Sequence, residues 1–285
     1  MTAMSGAFDW LAVGDVGEAR GAGRHPSLGG AAARLAAQAT ALGASVAIVG
    51  KVGDDDAGRR VRALLARAGV DLAWLRDGPA ARTTVWIDAD GPSASRRIDR
   101  GADLGLRLDE LPPRSVTAAM TIVSGYSLSV EPARSAAIGA LAGAARRGGR
   151  SGLLLEADVL WSTNARMARR VLEPALATAD SVALTHADAT ALLGPTTARQ
   201  AIKTIAQLGP RIVYLGQPDG SILVREGSRL HAIPALDDSP QRADRFAGPA
   251  AFWVALARGE SVAEAASGSL RPSRPSGKAS RPRGL

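Results

Sequence analysis

Apolar residues fall into short runs closed by glycine turns, and between the runs apolar positions return every three or four residues. Residues 8–16 make the first run, ending at a glycine, which predicts a buried strand. A loop over 21–30 leads to a helix reaching about Leu42, then a strand over 45–52, a helix over 56–68 and a strand near 70–76. Such alternation predicts βαβ units and a parallel sheet covered by helices on both faces. The rhythm breaks at 82–99, where two extended runs flank Asp90-Gly91 in the manner of a β-hairpin.

Alternation then resumes. Strands are predicted over 119–125, 151–156, 181–185 and 211–216, with helices over 132–147, 164–177, 187–193 and 197–208. Residues 221–225 and 229–234 flank Glu226-Gly227 and read as a second hairpin, and a last helix is expected from Asp244 or Arg245 toward Ala257. Pro249 falls five residues into that helix, where a lost hydrogen bond would cost about 3 kcal/mol.

With 285 residues, 46% of them apolar, the chain can bury one large core, so residues 1–270 are expected to form one principal domain. Residues 271–285, rich in Pro, Ser, Arg and Gly, have no apolar side to bury and are expected to be a disordered basic tail. That tail holds five of the eight excess positive charges, leaving the body at +3. With aromatics at only 4%, stacking platforms for nucleic acid are lacking, and no specific nucleic-acid partner is expected. Cysteine is absent and the three histidines are scattered, which excludes disulfides and argues against a structural metal. No apolar run approaches the roughly 20 residues of a membrane span, and residues 1–6 lack the regions of a secretory signal, so a cytoplasmic chain with no membrane partner is expected.

The densest pattern is Leu28-Gly29-Gly30 before the first helix, Leu42-Gly43 before the strand at 45–52, then Gly53-Asp54, Gly58 and Gly69-Val70-Asp71. Paired glycines permit a sharp turn and the close approach of backbone to a neighbour or a ligand. This order of parts resembles the PfkB/ribokinase family of small-molecule kinases over roughly residues 8–268. The resemblance implies an α/β fold of ribokinase-like type: a doubly wound, mostly parallel sheet with helices on both faces and a small β lid, here at about 82–99. It also implies phosphoryl transfer from ATP, with Mg2+, to a hydroxyl of a sugar or nucleoside-like substrate, and it allows a homodimer through the lid.

Site residues follow by position. Gly29 and Gly30 would touch substrate, with Arg97 or its neighbour Arg96 facing the substrate or phosphate from the lid, or standing there as solvated lid arginines. Ser181 to Asp188 resembles the family's Asn-x-x-Glu motif as Thr185-x-x-Asp188, implying that Asp188 supports magnesium through water; either residue could instead cap a helix. Gly216 and Gly220 would lie along the nucleotide, or simply punctuate a strand and turn. The segment Asp237 to Phe252 falls where the family carries Asp-Thr-x-Gly-Ala-Gly-Asp-x-Phe. Asp244 would be the catalytic base, or a helix N-cap, and Gln241, Arg242 and Ala243 replace the glycine-rich anion hole. Arg242 could reach the phosphates, fill the site or face solvent.

The departures cluster. Ala19 stands where the family has a sugar-binding aspartate, with Glu18 or Asp15 as substitutes, and Arg34 stands for a usual asparagine. The turn at 241–243 is altered, and beyond Ala266 the chain departs from the family's pattern, so a shortened or divergent set of C-terminal helices is expected. An alternative reading follows, a catalytically impaired member that binds a ligand or partner without phosphoryl transfer.

Overall fold

The computed structural model describes residues 7–21, 25–78, 81–88, 96–156, 165–235 and 245–270. Its main sheet is built from β1 (Ala7–Val13), β4 (Val46–Gly53), β5 (Asp71–Gly78), β8 (Thr117–Ser124), β9 (Arg150–Leu154), β10 (Ser181–Thr185), β11 (Ile212–Gly216), β12 (Ile222–Glu226) and β13 (Arg229–Ile233). The spatial order is β13-β12-β11-β10-β9-β8-β1-β4-β5. All pairs from β11 to β5 are parallel; β12 and β13 close one edge as the antiparallel hairpin expected at 221–234.

Strand β1 shows why the sheet is covered on both sides. Trp10 and Ala12 face one core, with α1 (Ala31–Ala41), α2 (Asp56–Arg67), α7 (Ala247–Ala257) and α8 (Val262–Gly268). Leu11 and Val13 face the other, with α3 (Ala133–Gly143), α4 (Ala165–Thr178), α5 (His186–Leu193) and α6 (Ala198–Ala206). Side chains alternate across a strand, so a strand buried on both faces must be apolar throughout. Helix α7 is apolar on every side because it lies between the sheet, α1 and α8. Its Trp253 packs edge-on against Trp10 at 6.3 Å and donates to the buried Ser181 hydroxyl at 2.9 Å.

Three expectations need correction. The segment at 21–30 is not only a loop: β2 (Gly17–Gly21) and β3 (Ser27–Gly29) join β6 (Thr84–Asp88) and β7 (Arg96–Asp99) in a second sheet, ordered β3-β2-β6-β7. The lid is thus built from two distant stretches, with β6 and β7 antiparallel as the hairpin reading required. Helix α7 starts later than expected, at Ala247 after Phe246. Pro249 therefore lies in the first turn, where amides have no intrahelical acceptor, and the expected cost disappears. Helix α8 extends the covered region beyond Ala257 and buries Val262, Ala265 and Ala266 against the last hairpin.

Candidate active site

The chain runs from β1 out to β4 and β5 on one side, then crosses back to β8 and continues to the far edge. In open parallel sheets the crevice at such a reversal, beyond the carboxyl ends of the strands, is where ligands are held. Five neighbouring strands end there on polar or glycine residues: Asp15 just after β1, Ser124 ending β8, Glu156 just after β9, Thr185 ending β10 and Gly216 ending β11.

Asp15 lies across the start of α1. Its carboxylate accepts from the Ala31 amide at 2.7 Å and the Ala32 amide at 3.2 Å, while Gly30 before them has φ +86°. A Cβ on Gly30 would come within 2.5 Å of the Asp15 carbonyl oxygen, and one on Gly29 would meet Trp86 and the Glu18 backbone. Close approach of chain segments is thus sufficient reason for both glycines. Glu18, fully buried, is held by Arg60 at 2.6 Å and by Arg20. Burial works to raise its carboxyl, but the hydrogen bonds from Arg60 and Arg20 hold it below the usual range. Both candidate substitutes for Ala19 are therefore engaged within the protein.

A buried acidic group surrounds Tyr126, in the 3-10 turn after β8. Asp103 accepts from the Thr84 hydroxyl, and Ser124 donates to Glu156 at 3.2 Å. Burial pushes Asp103 and Glu156 up to about 8, and the charge of Asp15 adds to both shifts. Burial also raises Asp15, against the hydrogen bonds from the two α1 amides. Among the described residues, Asp103 Oδ2 and Tyr126 Oη are buried without a hydrogen-bond partner. The lid closes over this group through Trp86, whose ring centroid is 5.6 Å from that of Tyr126, and the Arg100 guanidinium lies over the Tyr126 ring at 5.7 Å.

Thr185 and Asp188 form a capping box at the start of α5. Asp188 Oδ2 accepts from the Thr185 amide at 2.8 Å and its hydroxyl at 2.6 Å, and Thr185 Oγ1 accepts from the Asp188 amide at 3.1 Å. Asp188 is fully buried and also receives Arg245 Nη2 at 3.0 Å on each oxygen. A water-linked magnesium needs a carboxylate oxygen open to solvent, so Asp188 as arranged does not fit that role. Among the described residues no three His, Asp or Glu side chains form a metal-binding set. Gly216 has open space where a Cβ would stand, and Gly220 turns the chain at φ +83°. The Arg34 guanidinium lies 4.1 Å from the Phe246 ring centroid, joining α1 to the start of α7.

The structure thus gathers Gly29, Gly30, Thr185, Asp188 and Gly216 along the strand ends. Arg97 instead is 74% exposed on the lid and ion-paired with Asp99 at 2.8 Å, the arrangement of a solvated lid arginine. Gln241, Arg242, Ala243 and Asp244 lie outside the described residues, as do 271–285 and the turn at Asp90-Gly91. Sequence reasoning assigned no role to Asp103 or Glu156, and it named Arg245 only as a possible start of the last helix. For Glu156 a signal existed: a carboxylate directly after an apolar strand, the pattern Asp15 also follows.

The family model for pfkB family carbohydrate kinases matches residues 11–243. The chain belongs to this family. Fructokinase of Klebsiella pneumoniae is 33% identical over 214 residues, covering 73% of this chain and 69% of that protein. Aminoimidazole riboside kinase of Salmonella typhimurium is 28% identical over 80% of this chain and 74% of its own length. Among solved structures, aminoimidazole riboside kinase from Salmonella enterica, complexed with aminoimidazole riboside and an ATP analog, superposes with a TM-score of 0.78 over 92% of this chain and 90% of that one, at 21% identity. At that identity the likeness is one of fold, and it agrees with the doubly wound sheet and lid described above.

Proposed function

We propose that this carbohydrate kinase transfers the terminal phosphoryl group of ATP to a hydroxyl of a sugar or nucleoside-like small molecule held between the lid and the strand ends. The observation that carries the reading is the Arg245–Asp188 pair, which ties the residue directly after Asp244 to the end of β10. Asp244 would accept the proton of the attacking hydroxyl, a role that requires a carboxylate within hydrogen-bond reach of the acceptor. Gln241, Arg242 and Ala243 would face the transferring phosphate, with Arg242 supplying charge where the close backbone approach that glycine allows is lost. Gly29 and Gly30 are proposed for the acceptor side, and Thr185, Gly216 and Gly220 for the nucleotide side. Magnesium would enter with ATP, since Asp188 is otherwise engaged. Relatives named for fructose and for aminoimidazole riboside support the substrate class without choosing within it. No helix among the described residues is long and apolar enough to cross a membrane.

A second reading, ligand binding without transfer, is favoured by the same Asp188 carboxylate, already neutralised inside the protein. The two separate by ADP release from magnesium-ATP across a panel of pentoses, hexoses, sugar phosphates and nucleosides, with Asp244→Asn in parallel. Turnover on one acceptor that is lost in the variant supports the kinase reading. Nucleotide binding with no acceptor-dependent turnover supports the second. Sedimentation of the same preparation tests a lid-mediated homodimer.

A further inference from the structure

Asp188 and Arg245 stand 57 positions apart in the chain, yet meet at the carboxyl end of β10. The contact is closely defined: both carboxylate oxygens receive Nη2 at 3.0 Å, and Oδ2 also receives the amide and hydroxyl of Thr185. A helix cap alone would not require this, because Thr185 already completes the capping box. The guanidinium also acts on a second strand end. Against burial and the charge of Asp15, Arg245 draws the Glu156 carboxyl back down. The fixed cation thus holds Asp188 directly at the end of β10 and only partly offsets the burial of Glu156 at the end of β9, which stays at about 8.

A guanidinium differs from a hydrated divalent ion in ways that matter here. It is always charged, carries its donors in a rigid plane, and is held by the chain instead of by exchange with solvent. A buried carboxylate must be paired or neutralised, and either kind of cation meets that need.

We infer that Arg245 is a built-in counter-cation, standing at Asp188 where a metal-bound water would otherwise be held, so that the protein's part of a nucleoside di- or triphosphate site works without a divalent ion of its own. The inference rests on the nucleotide-site reading above for its ligand, but not for its charge arrangement. Arg245 also acts as a positioning residue, fixing the segment that follows Asp244 against β10.

The test uses the full chain in four forms: wild type, Arg245→Lys, Arg245→Gln and the Arg245→Gln, Asp188→Asn double variant. Melting is measured in chelator and in excess magnesium without nucleotide, and ADP binding is measured in the same two conditions. Wild type and Arg245→Lys should melt at the same temperature in both conditions, with ADP affinities equal within about twofold. Arg245→Gln leaves Asp188 buried without its guanidinium, so it should melt lower in chelator, recover in magnesium, and bind ADP about tenfold more tightly with magnesium than without. The double variant should lose that response, which locates it at Asp188.

The inference is overturned if magnesium stabilises the wild type, or if Arg245→Gln responds to magnesium no more than the wild type does. Should Arg245→Gln fail to fold, the wild-type and Arg245→Lys responses decide it alone. If no form binds ADP, the nucleotide-site reading fails, while the melting comparison still decides the role of Arg245.

Discussion

The carboxylate of Asp15 caps helix α1 by accepting the Ala31 amide at 2.7 Å, from a buried position just beyond the end of β1. The first strand and the first helix are thereby joined by a charged hydrogen bond at the point where the sheet reverses. Asp15→Ala leaves the Ala31 and Ala32 amides buried without this acceptor and should cost about 2 kcal/mol. Asp15→Asn keeps one acceptor oxygen and should fall between. Urea denaturation measures both, and a loss under about 0.5 kcal/mol for the alanine variant would show that the cap is dispensable.

Two glycines at strand ends should respond in opposite ways to alanine. Gly30 has positive φ and faces the Asp15 carbonyl, so Gly30→Ala should destabilise by at least about 2 kcal/mol. Gly216 has no neighbour where a Cβ would stand, and Gly216→Ala should leave stability within about 0.5 kcal/mol. Thermal melts of the pair test the contrast. If Gly216→Ala also weakens ADP binding at unchanged stability, its proposed place along the nucleotide gains support.

Stability should fall as pH rises from about 5 to about 8. Asp103 and Glu156 lose their protons near pH 4 in the unfolded chain but hold them up to about 8 when folded. Through that window the native state binds more protons than the unfolded state, so each pH unit favours unfolding, and the trend levels off above it. A melting temperature measured across the window should drop by roughly 5 °C or more. Glu156→Gln removes one of the two groups and should flatten the slope. A melting temperature that climbs between pH 5 and 8 would contradict the assignment.

Pro249→Ala should change stability by less than about 1 kcal/mol, even though the proline sits inside a buried helix. In the first turn of α7 its missing amide forfeits no intrahelical bond. Equilibrium unfolding decides this, and a gain near 3 kcal/mol would mean that the helix begins earlier than Ala247.

Much of the architecture was legible in the chain because it is written in local terms. The apolar run at 181–185, the alternation of strands with helices, and the turn residues Glu226-Gly227 each reflect side-chain periodicity or backbone preference within a few positions, and those elements appear where expected. Strands β2 and β3 were not legible. They are short, and β2 is held by pairing with β6 more than sixty residues later and by the Glu18–Arg60 contact. Among the described residues β3 pairs only with β2, so the whole ribbon depends on a partner that no local window contains.

The site divides along the same line. Sequence by itself determined the residue types, the order of the main-sheet strands and their helices, and the family, because the spacing of Gly29-Gly30, Gly53-Asp54 and Thr185-x-x-Asp188 is a property of the chain. Only the tertiary structure decided what those residues do to one another. It brought Arg245 onto Asp188, set Asp15 beneath α1, and buried Asp103 and Glu156 around Tyr126, with Trp86 of the lid against the Tyr126 ring. Charge, desolvation and hydrogen bonding act through space over a few ångströms, and distance along the chain carries no record of them.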